Sequence, residues 1–86
     1  MTPLWDARFE SLMRDALRLL DPGDPLLPDL STADHGLDSL AMVQLMLSIE
    51  DAYGISIPDD LVQPQSFATP EKLWAIVCEL SGAQVQ

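Results

Sequence analysis

Ser39, His35 and Cys78 are the side chains from which a nucleophile, a base or a metal site would have to be built. The single histidine and single cysteine lie far apart, so neither an intrachain disulfide nor a cysteine-rich metal cluster is available. His35 stands four residues before Ser39, and no Gly-x-Ser-x-Gly elbow surrounds the serine. A Ser-His-Asp hydrolase needs a base within hydrogen-bond reach and a sheltered oxyanion hole, which 86 residues can hardly provide. The aspartates do not form an Asp-x-Asp-x-Asp-Gly calcium loop. The expectation is a chain that is no enzyme and binds no metal.

Ser39 suits chemistry of another kind. Gly36-Leu37-Asp38-Ser39-Leu40 comes directly before a helical pattern, so the hydroxyl falls at a helix start and projects to solvent. The positive end of that helix favours an attached phosphate by about 0.3–1 kcal/mol at an exposed site. Asp38 would repel the phosphate, which suggests that it meets a metal ion or a basic enzyme instead. Taken alone, these five residues more often mean an ordinary capping serine.

Three long helical patterns must position this serine. Trp5, Phe9, Leu12, Met13, Ala16, Leu17 and Leu20 share one face of a helix predicted over 3–20. Thr2 is its predicted cap, Pro3 its first residue, and Asp21-Pro22-Gly23-Asp24-Pro25 its stop. Residues 21–37 read as a long irregular loop pinned by Leu26, Leu27 and Leu30. A second helix is predicted over 39–53, with Asp38 as cap and Gly54 as a left-handed terminator. Ile55-Ser56-Ile57 is extended, and a short helical turn starts at Asp59 or Asp60 and is interrupted by Pro64. Thr69-Pro70 opens a last helix with Leu73, Ile76, Val77 and Leu80 on one stripe. The fold class is therefore all-α, a small bundle of three main helices plus a short one, with a long first loop. One domain spans residues 1–86, its core lies at about 3–80, and residues 81–86 are expected to form a flexible tail.

Charge narrows the partners. Fourteen acidic residues face four basic ones, for a formal net charge of -10. No basic residue lies between Arg18 and Lys72, while Asp38, Glu50, Asp51, Asp59 and Asp60 all do. Such a segment repels nucleic acid and anionic lipid and attracts basic protein surfaces. No run approaches the roughly 20 apolar residues of a membrane span. Residues 1–6 lack the basic-then-apolar order of a secretory signal, so a cytoplasmic monomer is expected.

The second helix has more apolar residues than packing needs. Met42, Leu45, Met46, Ile49, Ala52 and Tyr53 form a core face within about 120°. Leu40, Val43 and Leu47 form a second stripe outside it. The helix is either buried nearly all round or carries a partner-binding patch, apolar at its centre and acidic at its rim.

Gly36-Leu37-Asp38-Ser39-Leu40, then Val43, Ile49-Glu50-Asp51-Ala52-Tyr53-Gly54-Ile55-Ser56-Ile57-Pro58 and Phe67-Ala68-Thr69-Pro70, resembles the acyl and peptidyl carrier protein family over about residues 34–78. The resemblance implies that a phosphopantetheinyl transferase attaches a 4′-phosphopantetheine arm from coenzyme A to Ser39. The arm's thiol, not Cys78, would carry the acyl, aminoacyl or peptidyl group as a thioester. Gly36, Leu37, Asp38 and Leu40 would be the flanking motif, with Asp38 near the transferase and its magnesium. Val43, Gln44, Leu47, Glu50, Asp51, Asp59 and Asp60 would meet partners: the transferase, a loading enzyme of adenylating or acyltransferase type, and condensing or tailoring enzymes. Two positions depart from the family. His35 replaces a commonly apolar residue and reads as a solvent-facing loop residue. Gln44 stands where bacterial fatty-acid carriers usually place an acid, so the patch is less acidic. Gly36-Leu37-Asp38-Ser39 is closer to the acyl than to the peptidyl type. No catalytic domain accompanies the motif, so a discrete carrier in a specialised biosynthetic pathway is expected. The competing reading is an acidic helical interaction module that never receives the arm.

Overall fold

The computed structural model describes residues 5–81, and these are all-α, with no strand among them. Helix α1 (Ala7–Ala16) opens on Asp6, whose Oδ1 accepts the Phe9 N–H at 2.8 Å. The same oxygen accepts the Tyr53 hydroxyl at 2.7 Å, tying the start of α1 to the second helix. That bond's carboxylate and, first, burial push the Tyr53 phenol well above its ordinary range. Trp5 lies outside the helix, buried against Phe9, with its indole N–H donated to Glu10 at 3.0 Å.

The observed α1 is shorter than the predicted 3–20 helix at both ends. Thr2 and Pro3 lie outside the described residues, and Asp6 provides the cap. At the other end Leu17 leaves helical geometry well before Asp21-Pro22. The reason is a competing partner: the Leu19 N–H donates to the His35 carbonyl at 3.0 Å. Leu17 and Leu20 still reach the core, from a turn instead of a helix.

The long connection contains a 3-10 turn, Ala33–His35, that its proline-rich pattern conceals. Leu26 and Leu30 are buried, but Leu27, expected to pin the loop, is 49% exposed. It opens the turn that the Leu30 N–H closes on its carbonyl, and its side chain faces out. Helix α2 runs over Ser39–Tyr53 as predicted, capped by Asp38 and ended by Gly54 at φ +66°. A 3-10 turn at Asp59–Leu61 follows. Pro64, expected only to interrupt, begins a further 3-10 turn, Pro64–Phe67, because its fixed φ suits a first helical position. That turn buries Phe67. Helix α3 (Pro70–Ser81) starts after Thr69, whose Oγ1 accepts the Lys72 N–H at 3.3 Å. Ser81 closes α3, so the helix enters the segment expected as tail; residues 82–86 lie outside the described residues.

The core joins Phe9, Met13 and Leu17 to Leu45 and Ile49 of α2, Leu73 and Val77 of α3, and Leu26, Leu30, Ile57 and Phe67 from the connections. Half-buried Trp74 packs on Phe9, ring centres 5.0 Å apart. The extents are 32 × 31 × 19 Å. The thin dimension is about two helix diameters of ~10 Å, so the helices form two layers and none is surrounded.

Thr32 is the buried polar residue that joins the connections. Its hydroxyl lies 2.5 Å from the Phe67 carbonyl and 3.0 Å from that of Ala68, and its own N–H donates to Ala68 at 3.0 Å. Thr32→Val keeps the shape and the backbone N–H bond to Ala68 but removes the hydroxyl that donates to the Phe67 and Ala68 carbonyls. Chemical denaturation should show a loss of about 1–3 kcal/mol; an unchanged midpoint would mean that the hydroxyl is dispensable.

Glu10 gives a pH-dependent test. The Trp5 indole N–H, then Arg14 at 3.0 Å, hold its carboxyl below the usual 4.5, against partial burial that raises it. A depressed folded pKa means stability that is present above the unfolded pKa and lost as pH falls through the folded one. Glu10→Gln should therefore cost at most about 1 kcal/mol at neutral pH, since the pair is partly exposed. The gap to wild type should close below pH 4.5. A gap of equal size at pH 3 and pH 7 would show that the charge is not responsible.

Candidate functional site

The chain reaches Ser39 through a loop wound around one carbonyl. Thr32 C=O accepts the N–H groups of His35 at 3.0 Å and Leu37 at 3.1 Å. Gly36 permits the turn at φ +99°, and a Cβ there would lie 3.3 Å from Leu19 Cγ. The Asp38 N–H then donates to the Gly36 carbonyl, and α2 begins. Asp38 Oδ1 accepts the Ala41 N–H at 2.8 Å, satisfying one of the free donors of the first turn. Ser39 is exposed, and its hydroxyl makes no hydrogen bond among the described residues.

The angular position of Ser39 matters. At about 100° per residue, it lies between the core face around Ile49 and the stripe of Leu40, Val43 and Leu47. On the core side, Ser39 and Met42 border a cleft of about 490 Å³, closed by Thr32, Leu37, Gln65 and Phe67. That volume suits a small-molecule site. On the other side Leu40, Val43 and Leu47 are 68%, 39% and 54% exposed. The second stripe of α2 is therefore surface, and the all-round buried alternative is excluded.

The residues expected at the rim divide. Gln44, Asp51, Asp59 and Asp60 are exposed. Glu50 is half-buried, and its Oε2 accepts the Ile57 N–H at 2.6 Å, fastening the segment after α2. Its carboxylate is therefore a structural acceptor as well as a charge. His35, expected to face solvent, is half-exposed: its Nδ1 donates to the Ser31 carbonyl at 2.8 Å and its carbonyl receives Leu19. Its ring serves the loop and makes no bond to Ser39. On α3, burial, then the negative charge of Asp6, push the Cys78 thiol up, which disfavours the nucleophilic thiolate.

Sequence reasoning did not assign a site role to three features. Arg18 Nη2 lies 3.7 Å from Asp38 Oδ2, which brings a cation beside the motif. Thr32 sets the loop path, and Gln65 and Phe67 help close the cleft. Arg18 was visible only as the last cation before a long acidic stretch, and Thr32 carried no signal of its partners. Among the described residues no cluster of His, Cys, Asp or Glu is placed to hold a metal, and no helix is long and apolar enough to cross a membrane.

Comparison with known proteins bears on this geometry. Residues 7–81 match the family described as a phosphopantetheine attachment site. An aminoacyl carrier protein of Agrobacterium fabrum is 42% identical over 74% of this chain and 77% of its own length. The anthracycline acyl carrier protein DauA of a Streptomyces species is 32% identical over 99% of this chain and 100% of its own. An acyl carrier protein of Desulforapulum autotrophicum is 38% identical over 64% of this chain. These relatives are named as carriers and not as enzymes. The prosthetic group of the family is covalently attached 4′-phosphopantetheine. The local geometry accommodates it, with an unpartnered hydroxyl in solvent, a helix N-terminus for its phosphate and an adjoining cleft. The chain belongs to the acyl carrier protein family.

Proposed function

We propose that Ser39 is the attachment residue and that the chain presents acyl or aminoacyl intermediates to separate enzymes, catalysing nothing itself. The observation that carries this is the placement of the free Ser39 hydroxyl between a cleft and an exposed apolar stripe. A transferase can approach over the stripe, where no element of the described chain stands in its way. Attachment forms a phosphorus–oxygen bond to Ser39 Oγ and breaks the pyrophosphate bond of coenzyme A, releasing the adenosine bisphosphate. Once attached, the arm supplies a thiol that holds cargo as a thioester. The chain's own residues present and orient that arm. Asp38 caps the helix on which it stands, and Met42, Leu37 and Phe67 line an apolar wall beside it.

The chain acts, on this reading, as a single discrete carrier domain and a monomer. Its partners are a phosphopantetheinyl transferase, a loading enzyme and downstream condensing or tailoring enzymes. The end-to-end match to an anthracycline acyl carrier supports a specialised biosynthetic pathway, and the Gly-Leu-Asp-Ser motif supports acyl cargo. The exposed Gln44, Asp51, Asp59 and Asp60 around the stripe would select basic partner surfaces.

Incubation with coenzyme A and a broad-specificity transferase, read by intact-protein mass spectrometry, tests the attachment. Wild type should gain one arm and Ser39→Ala none. A gain on Ser39→Ala would move attachment to another residue, and none on wild type with several transferases would favour the adaptor reading; either outcome refutes the assignment. Val43→Asp and Leu47→Asp test the docking stripe. Being exposed, both should leave stability within about 0.5 kcal/mol while lowering transferase kcat/KM about tenfold, as for a moderate hot spot. Unchanged kinetics would place recognition elsewhere, and lost helicity in circular dichroism would show that these side chains belong to the core.

A further inference from the structure

The fold holds Arg18 beside Asp38, the residue that precedes the attachment serine. It follows the last turn of α1, and the Leu19 N–H binds the His35 carbonyl at 3.0 Å. The backbone of 18–19 also runs close to Gly36: a Cβ there would meet Leu19 N at 3.4 Å and Arg18 N at 3.5 Å. The position of the Arg18 backbone relative to the motif is thus fixed from two sides. Its side chain is free by comparison. The Nη2–Oδ2 distance to Asp38 is 3.7 Å, too long for a hydrogen bond, and the two side chains are 64% and 59% exposed.

The other arginines are engaged. Arg8 donates to the Ala52 carbonyl at 2.9 Å, and Arg14 to Glu10 and the Asp24 carbonyl at 3.0 and 2.8 Å. Among the described residues, the guanidinium of Arg18 makes no hydrogen bond. Asp38 is differently placed, because its Oδ1 is already fixed by the helix cap. A phosphodiester on Ser39 would set a second anion next to this carboxylate. Without a cation, the two would repel across the first turn of α2.

We infer that Arg18 is a positioning residue for the phosphodiester of the arm, bridging it to Asp38 and fixing where the arm leaves the surface. The inference rests on attachment at Ser39. The planar guanidinium matches phosphate oxygens bidentately, which a lysine cannot do, so it orients the group as well as neutralising it. In the unmodified chain it is held only loosely by Asp38; in the modified chain a phosphate on the next residue would offer it a better acceptor.

Holo wild type, Arg18→Gln, Arg18→Lys and Arg8→Gln, each first confirmed as loaded by mass, are compared by ³¹P NMR. Arg8→Gln is the equal-charge control, since its partner Ala52 lies 13 residues along α2 from Ser39, about 20 Å away. The wild-type phosphodiester resonance should differ from its position in urea-unfolded protein. Arg18→Gln should move it at least halfway to the unfolded position, Arg18→Lys less, and Arg8→Gln negligibly. Raising salt should move wild type toward Arg18→Gln, because an exposed pair is screened. If loaded Arg18→Gln keeps the wild-type resonance, or Arg8→Gln shifts it equally, the role of Arg18 is refuted while attachment stands. If wild type takes up no arm, the attachment itself fails and this inference with it.

Discussion

Because the molecule is two helix layers thick, α2 buries one side and leaves the other to solvent. Full burial of a leucine or valine contributes about 1.5–3 kcal/mol. Leaving Leu40, Val43 and Leu47 largely exposed forgoes that term in a domain whose stability margin is small. The core compensates with residues from outside the helices: Leu26 and Leu30 from the first connection, Ile57 and Phe67 from the second. The exposed stripe would invite self-association, but a net charge of -10 opposes the approach of another copy.

The same thinness explains why the serine's location depends on loops. The chain before the N-terminus of α2 is fixed by its own hydrogen bonds. Thr32 does this from both ends of its peptide unit. Its hydroxyl and N–H fasten it to Phe67 and Ala68, while its carbonyl gathers His35 and Leu37. One buried threonine thus couples the motif loop to the 3-10 turn that closes the cleft. Changes in the cleft wall and in the serine's presentation should not be independent, because both hang on that residue.

Helix α2 was legible to the residue because its signals are local: an aspartate cap, an apolar period and a glycine at the left-handed position. Helix α1 was misread where a nonlocal bond competes. Nothing in Leu17-Arg18-Leu19 announces that the Leu19 N–H will be taken by His35, and the Asp6 cap is reinforced by Tyr53, 47 positions away. The same limit applies to the site. Ser39, Asp38 and the second stripe could be read from spacing along one helix. Arg18, Thr32 and the cleft require knowing which connections meet. Leu27 failed for a related reason: hydrophobicity alone cannot say which leucine of a turn points inward.

Asp38 shows how one side chain can meet two demands. A cap needs a short acceptor beside the Ala41 N–H, and Ser or Asn would serve that purpose about as well. A carboxylate differs in leaving a second, charged oxygen directed away from the helix, and here that oxygen faces Arg18. Its charge also interacts favourably with the N-terminus of α2, which offsets part of the pull that this helix end would exert on an attached phosphate. Three groups thus act at this end of α2: the helix end itself, a fixed anion and a loosely held cation. Of these, only the arginine can change its contacts without disturbing the fold. On the proposed role of Arg18, a charge added at the serine is accommodated first by movement of that side chain, while the cap and the helix stay as they are.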